Sequence, residues 1–278
     1  MTKMTHSLIV VGFFTTVIHL TESLAYSMRL AGVRTRQIAV SLSFVTSTLL
    51  ISRLSNMFQA PLLGTMVDST VMMPHANAIH ILEMQFRWII LCGFLGSFLG
   101  FALTPTMVQV FAIGITKFSI SGSVPRLAIS FFSPRRLLKF IKMLRVPSVA
   151  SLHTISVKRL PKTPLILNAI VTSVYTIGVL CSLLAGAMLP EFRSTANQLS
   201  GIVNGIATIL FTLFVDPAGA RVTDQAIHGI RPEADVRSTV FFLQFGRLFG
   251  TLVLSQVLLM PFTHYILWVT RILARWAM

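Results

Sequence analysis

Charge is scarce in this chain, and acid scarcer still: 11% of its 278 residues are charged, with 8 Asp and Glu against 23 Lys and Arg. So few charges cannot clothe a water-soluble domain, in which about a quarter of residues are ordinarily charged. Cysteine is nearly absent too. Cys92 and Cys181 both fall in apolar runs and lack metal-ligand spacing with histidine, which excludes a disulfide framework and a zinc centre. The chain has no Gly-rich loop ending in Lys and Ser/Thr, no HExxH and no nucleophile elbow. The motifs of ATP drive, zinc proteolysis and serine hydrolysis are therefore missing, and no cofactor is implied.

What is present is apolar. With 54% hydrophobic residues and a mean hydropathy of +0.79, the composition is that of an all-α polytopic integral membrane protein. At roughly 20 residues per spanning helix the chain divides into six spans, near residues 8–28, 38–60, 88–115, 165–189, 199–215 and 240–260, forming one membrane domain. The sixth apolar run continues through Tyr265 and Trp268, either as an interfacial belt or as a longer, tilted helix. The first run is too long for a signal-peptide core and lacks a small-residue cleavage site before Arg29. It reads as a retained helix, and the mature chain as the whole chain.

A net charge of +15 would suggest nucleic acid in a soluble protein, but here its distribution reports orientation. Across six spans, 16 Lys and Arg fall on one face, 5 on the other, and Arg53 and Arg247 lie within spans. The rich face is cytoplasmic by the positive-inside rule, which puts both termini outside. Ten of the 16 lie between Lys117 and Lys162. Residues 116–163 thus read as a basic cytoplasmic loop, in which Arg135, Arg136, Lys139, Lys142 and Arg145 form the polar stripe of an amphipathic helix ended by Pro147. On the opposite side, residues 61–86 are apolar for a loop and are expected to lie on the membrane surface. Asp68, His75, His80 and Glu83 there match no zinc template and read as solvated polar residues.

The spans are not clean. A charge at mid-bilayer costs on the order of 3 kcal/mol on insertion scales, so each intramembrane charge marks a candidate site. In the first span Thr15, His19, Glu22 and Tyr26 share one helical stripe that must face a cavity or other helices. Glu22 is the candidate cation or proton acceptor with His19 as its hydrogen-bond partner, or else the two form a structural pair. The second span crowds Ser52, Arg53, Ser55, Asn56 and Gln59 together. Arg53 is permanently charged and shaped for phosphate oxygens; it is read as an anion binder or as the ion-pair partner of Glu22, and the two readings are compatible if substrate displaces the acid.

The fifth span carries Asn197, Gly201, Asn204, Thr208 and Thr212 on one face and is expected to break at Asp216, before Pro217. A turn role and a transport role for Asp216 both stand. The sixth aligns Gln244, Arg247, Thr251 and Ser255, with Arg247 near enough to the cytoplasmic end to snorkel. The third span carries small residues, Gly93, Gly96, Ser97 and Gly100, and then a kink at Pro105; it is assigned packing and no chemistry.

Three strings carry a resemblance: IHLTESLAYSMRLAGVRT from Ile18 to Thr35, ISRLSNMFQAPLLGT from Ile51 to Thr65, and FVDPAGARVTDQAIHGIRP from Phe214 to Pro232. Together they resemble the Amj family of bacterial lipid II flippases, the alternates to MurJ, over nearly the full length. The resemblance implies a multi-pass protein of the bacterial plasma membrane that moves undecaprenyl-pyrophosphate-linked disaccharide-peptide from the cytoplasmic to the outer leaflet, with no catalytic activity. On that implication, Arg53 and Arg247 are expected to engage the pyrophosphate. Glu22, His19, Asn56, Gln59, Asn204 and Gln244 would line the headgroup path, with Glu22 and Asp216 holding the arginines when substrate is absent. Lipid II and membrane lipids are the expected partners. Six spans are few for so large a headgroup, so a homo-oligomer or a lateral groove fits better than a closed monomeric channel. An ion-coupled transporter of a smaller anion and a scaffold for cell-envelope enzymes are the competing readings, and the charges within the spans weigh against the scaffold.

Overall fold

The computed structural model describes residues 2–73, 77–121, 140–145, 147 and 154–277. Among them every regular element is helical: α1 (Thr2–Ala25), α2 (Ser27–Thr35), α3 (Ile38–Val71), α4 (Ala78–Ala102), α5 (Thr104–Ser121), α6 (Lys162–Met188), α7 (Arg193–Leu210), α8 (Asp216–Ile227), α9 (Glu233–Phe249) and α10 (Ser255–Ala277). A 3-10 turn, Pro190–Phe192, precedes α7, and π-helical turns at Phe211–Val215 and Gly250–Leu254 join α7 to α8 and α9 to α10. Among the described residues six helical segments are long and apolar enough to cross a membrane, making this an all-α, multi-pass membrane protein.

The observed spans differ from the expected ones chiefly at prolines. The second does not end at Ala60: α3 runs through Pro61 to Val71, and α4 begins at Ala78. Most of the expected surface loop is therefore helix. Its Met66, Val67, Leu82 and Phe86 are core residues, not membrane-surface contacts. Nor does the fifth span break at Asp216, because the π turn at Phe211–Val215 carries the helix past Pro217 to Ile227. A π turn realigns the carbonyls that a proline leaves unpaired, so the helix continues. The third span breaks at Leu103, between α4 and α5. The sixth is the longer helix, continuous through its π turn to Ala277. The amphipathic stripe at 135–147 lies largely outside the described residues; within it, the Arg145 N–H donates to Thr106 Oγ1 (2.8 Å), tying this part of the loop to α5.

Packing rests on small residues. α1 and α4 run parallel, and a Cβ on Gly96 would stand 2.2 Å from the Thr16 carbonyl oxygen, so only glycine permits this approach. Gly250 plays the same part between the sixth span and α6, where a Cβ would meet the Ala169 carbonyl at 2.5 Å. α6 is the most enclosed span, while α3 and the α7–α8 segment are the least. The largest apolar core joins both ends of the chain, from Val11 and Phe86 to Leu184, Leu259 and Ile266.

Candidate functional site

The polar stripe of α1 faces inward as its spacing requires: Thr15, His19 and Tyr26 are buried, and the Glu22 side chain is 34% exposed. Opposite it stands Arg247, with its side chain only 8% exposed. Arg247 Nη2 donates to Glu22 Oε2 at 2.5 Å and lies 3.1 Å from His19 Nδ1, while its Nε donates to Ser97 Oγ at 3.3 Å. Ser52 Oγ of α3 donates to the other Glu22 oxygen at 3.0 Å. Four spans thus contribute to one cluster. Its anion and cation neutralise each other, which is what allows both to leave water.

Three pairings expected from the sequence give way to others. Glu22 pairs with Arg247 and not with Arg53, because Ser52 occupies the face of α3 turned to α1 and the next residue points elsewhere. Arg53 is exposed and pairs with no described residue. Asp216, likewise, holds neither Arg53 nor Arg247; it forms an ion pair with Arg29 of α2 at an exposed position. His19 bonds toward Arg247 and Ser97, so it acts as Arg247's neighbour and not as the hydrogen-bond partner of Glu22. Arg247 does not snorkel to the cytoplasmic surface.

The remaining sequence candidates fall into two groups. Gln59 and Gln244 are buried and engaged. Gln59 Nε2 donates to Thr15 Oγ1 at 2.6 Å, and Gln244 Nε2 donates to the Ser23 carbonyl at 3.0 Å while its Oε1 accepts from Thr104 Oγ1. Ser23 and Thr104 flank the breaks between α1 and α2 and between α4 and α5, so Gln244 joins two helix breaks lying side by side. Asn56 and Asn204 are less committed. Asn56 is exposed on the Arg53 face of α3, and the buried Asn204 Oδ1 has no hydrogen-bond partner among the described residues.

Sequence reasoning assigned Ser97 to packing alone, whereas it bonds to Arg247, and it overlooked Asn168, Tyr175 and the pairing of Arg29. Tyr26 Oη donates to Asn168 Oδ1 (3.1 Å), Asn168 Nδ2 donates to the Leu243 carbonyl (2.8 Å), and Tyr175 Oη donates to Thr208 Oγ1 (2.7 Å). A signal existed for two of these: Asn168 and Tyr175 are an amide and a phenol in a span whose other polar residues, beyond its first turn, are Ser, Thr and Cys. Two surface concavities, one lined by His264, Trp268 and Arg271 and one by Arg159, Arg231 and Asp235, lie at the helix ends and away from the cluster.

No solved structure matches this chain. Among curated proteins, lipid II flippase Amj of Bacillus subtilis (strain 168) is 36% identical over 259 residues, covering 93% of this chain and 94% of the relative. The family profile described as Amj, Alternate to MurJ, matches residues 14–270, which include every residue of the cluster. The chain belongs to the Amj family.

Proposed function

We propose that this protein is a lipid II flippase of the bacterial plasma membrane, a transporter and not an enzyme, carrying undecaprenyl-pyrophosphate-linked disaccharide-peptide from the inner to the outer leaflet. The observation that carries the reading is the near full-length likeness to a relative named lipid II flippase. The charged cluster shared by four spans supports it chemically. A pyrophosphate crossing a bilayer needs cations inside the protein, and the polyprenyl tail can remain in lipid throughout.

In this reading Arg53 makes the first contact with pyrophosphate. It is exposed on α3, with Asn56 one turn further along the same face to meet sugar or peptide. Arg247 follows, exchanging its Glu22 partner for a phosphate oxygen. The exchange keeps the guanidinium paired, avoiding the several kcal/mol that an uncompensated charge inside a protein costs. Glu22 is accessible enough to be displaced, while His19 and Ser97 hold the guanidinium in place. Asn204 belongs to the headgroup path; Gln59 and Gln244 position its helices, and Asp216 positions α2 through Arg29.

The test is rescue of a bacterium depleted of its essential lipid II flippase, with outer-leaflet lipid II assayed directly. Rescue by the wild-type chain but not by a stably inserted Arg53→Ala variant is the expected result. Failure of a properly inserted wild-type chain to restore outer-leaflet lipid II overturns the reading and favours transport of a smaller anion.

A further inference from the structure

The two halves of the chain have one plan. In the first, α1 packs antiparallel on α3 and parallel on α4. In the second, α6 packs antiparallel on α7 and parallel on the sixth span. The agreement extends to register. A Cβ on Gly96 would meet the Thr16 carbonyl and the Leu20 nitrogen, and one on Gly250 would meet the Ala169 carbonyl and the Ser173 nitrogen, the same four-residue step. Ser52 donates to Glu22 between the first and second spans; Tyr175 donates to Thr208 between the fourth and fifth.

The sequence repeats in that same register. Phe58, Pro61 and Asp68 of the second span recur at identical spacing as Phe214, Pro217 and Asp224 of the fifth. Phe58 follows Ser52 by the same interval at which Phe214 follows Thr208. The helices then end together, α3 at Val71 and α8 at Ile227, each three residues beyond its aspartate. Because each half has an odd number of spans, the first span enters from outside and the fourth from the cytoplasm. The halves are inverted repeats.

Inverted repeats place a substrate site at their interface and exchange two states in which each half takes up the other's arrangement. The Glu22–Arg247 pair lies on that seam, joining the first span of one half to the last span of the other. In the present state the outer ends of the second and fifth spans are tied by Asp68, whose Oδ1 lies 2.5 Å from Arg193 Nη1. The repeat equates Asp68 with Asp224, and the position of Arg193 with the turn at Arg36 and Gln37 that opens α3. Arg36 is exposed at a positive φ of 54° and pairs with no described residue. Asp224 is 63% exposed at its side chain and, among the described residues, pairs only with His228 of its own turn, at 3.5 Å. Both stand at the cytoplasmic ends of their spans, the counterpart of the tied outer ends.

We propose that the protein works as an inverted-repeat transporter with alternating latches, Asp68–Arg193 closing the outer ends of the second and fifth spans in one state and Asp224–Arg36 closing their cytoplasmic ends in the other. The proposal rests on the lipid II reading for its transport readout alone. Two double-cysteine chains test it, Asp68→Cys with Arg193→Cys and Arg36→Cys with Asp224→Cys, each in a background with Cys92→Ala and Cys181→Ala. A short bis-methanethiosulfonate linker is applied to membranes and removed by reductant. Both pairs are expected to link, each link lowering outer-leaflet lipid II at least tenfold, with recovery on reduction.

Absence of the Arg36–Asp224 link in membranes where the outer pair links overturns the two-state scheme, as does unchanged transport by linked protein. If the reduced chains move no lipid II although the wild type does, charge exchange replaces them: Asp68→Arg and Arg193→Asp should each impair transport and together restore it, and failure to restore sinks the outer latch. If the wild type moves none, the substrate reading fails, while linking of the two pairs still decides the two states.

Discussion

Arg247 of the sixth span and Glu22 of the first meet at 2.5 Å across the interface between the two halves of the chain, with His19, Ser97 and Ser52 completing their shell. On the proposed reading this pair would tie stability to transport, because the charges that join the first and sixth spans are those a phosphate would have to engage.

Removing one partner should cost more than removing both. Glu22→Ala leaves the enclosed guanidinium unpaired and is expected to destabilise by about 2–3 kcal/mol, below the figure for a fully buried pair because a third of Glu22 is accessible. Glu22→Gln combined with Arg247→Met should recover most of that stability and none of the transport. Thermal melts in detergent beside a lipid II translocation assay give both readouts; additive losses in the double variant would count against the coupling.

Arg53 and Arg247 should separate in the same pair of measurements. Arg53→Ala removes an exposed side chain with no described partner, so the melting temperature should stay within about a degree of wild type, a surface change being worth no more than about 0.5 kcal/mol. Transport should fall at least tenfold. Arg247→Ala should lower both, and an Arg53→Ala chain that transports normally would end the pyrophosphate role of that residue.

Gln244 is a structural joint. Gln244→Leu withdraws the donor from the Ser23 carbonyl and should cost about 1–3 kcal/mol. Faster amide exchange is expected around Tyr26 and Leu103, where the two helix breaks lie. Unchanged exchange there would show that the joint does not hold them.

The glycines should divide by what faces them. Gly96→Ala and Gly250→Ala drive a methyl into backbone and should sharply reduce folded yield, whereas Gly64→Ala, with nothing within 4 Å, should be neutral or stabilising by up to about 1 kcal/mol. Folded yield measured by size-exclusion in detergent distinguishes them.

The sequence by itself determined that the chain is helical and crosses a membrane six times, because runs of about 20 apolar residues match a helical crossing, in which the backbone is satisfied internally, and are too long for the strands of a barrel. It also marked the inward stripe of α1, since no lipid-facing helix would align Thr15, His19, Glu22 and Tyr26. Pro61 and Pro217 misled the reading of helix ends, because a proline's cost depends on whether the surrounding helix can realign its carbonyls. The recurring Phe, Pro and Asp of the second and fifth spans stood in the sequence too, but three residues in a chain this apolar carry weight only once packing supplies the same register.

Only the tertiary structure decided which arginine meets Glu22. Both arginines lie in apolar runs and either charge would serve. The choice depends on the sixth span crossing the first, and on Ser52 taking the face of α3 that Arg53 would have needed. Partner choice between distant helices is a property of their crossing, to which local composition and periodicity are blind.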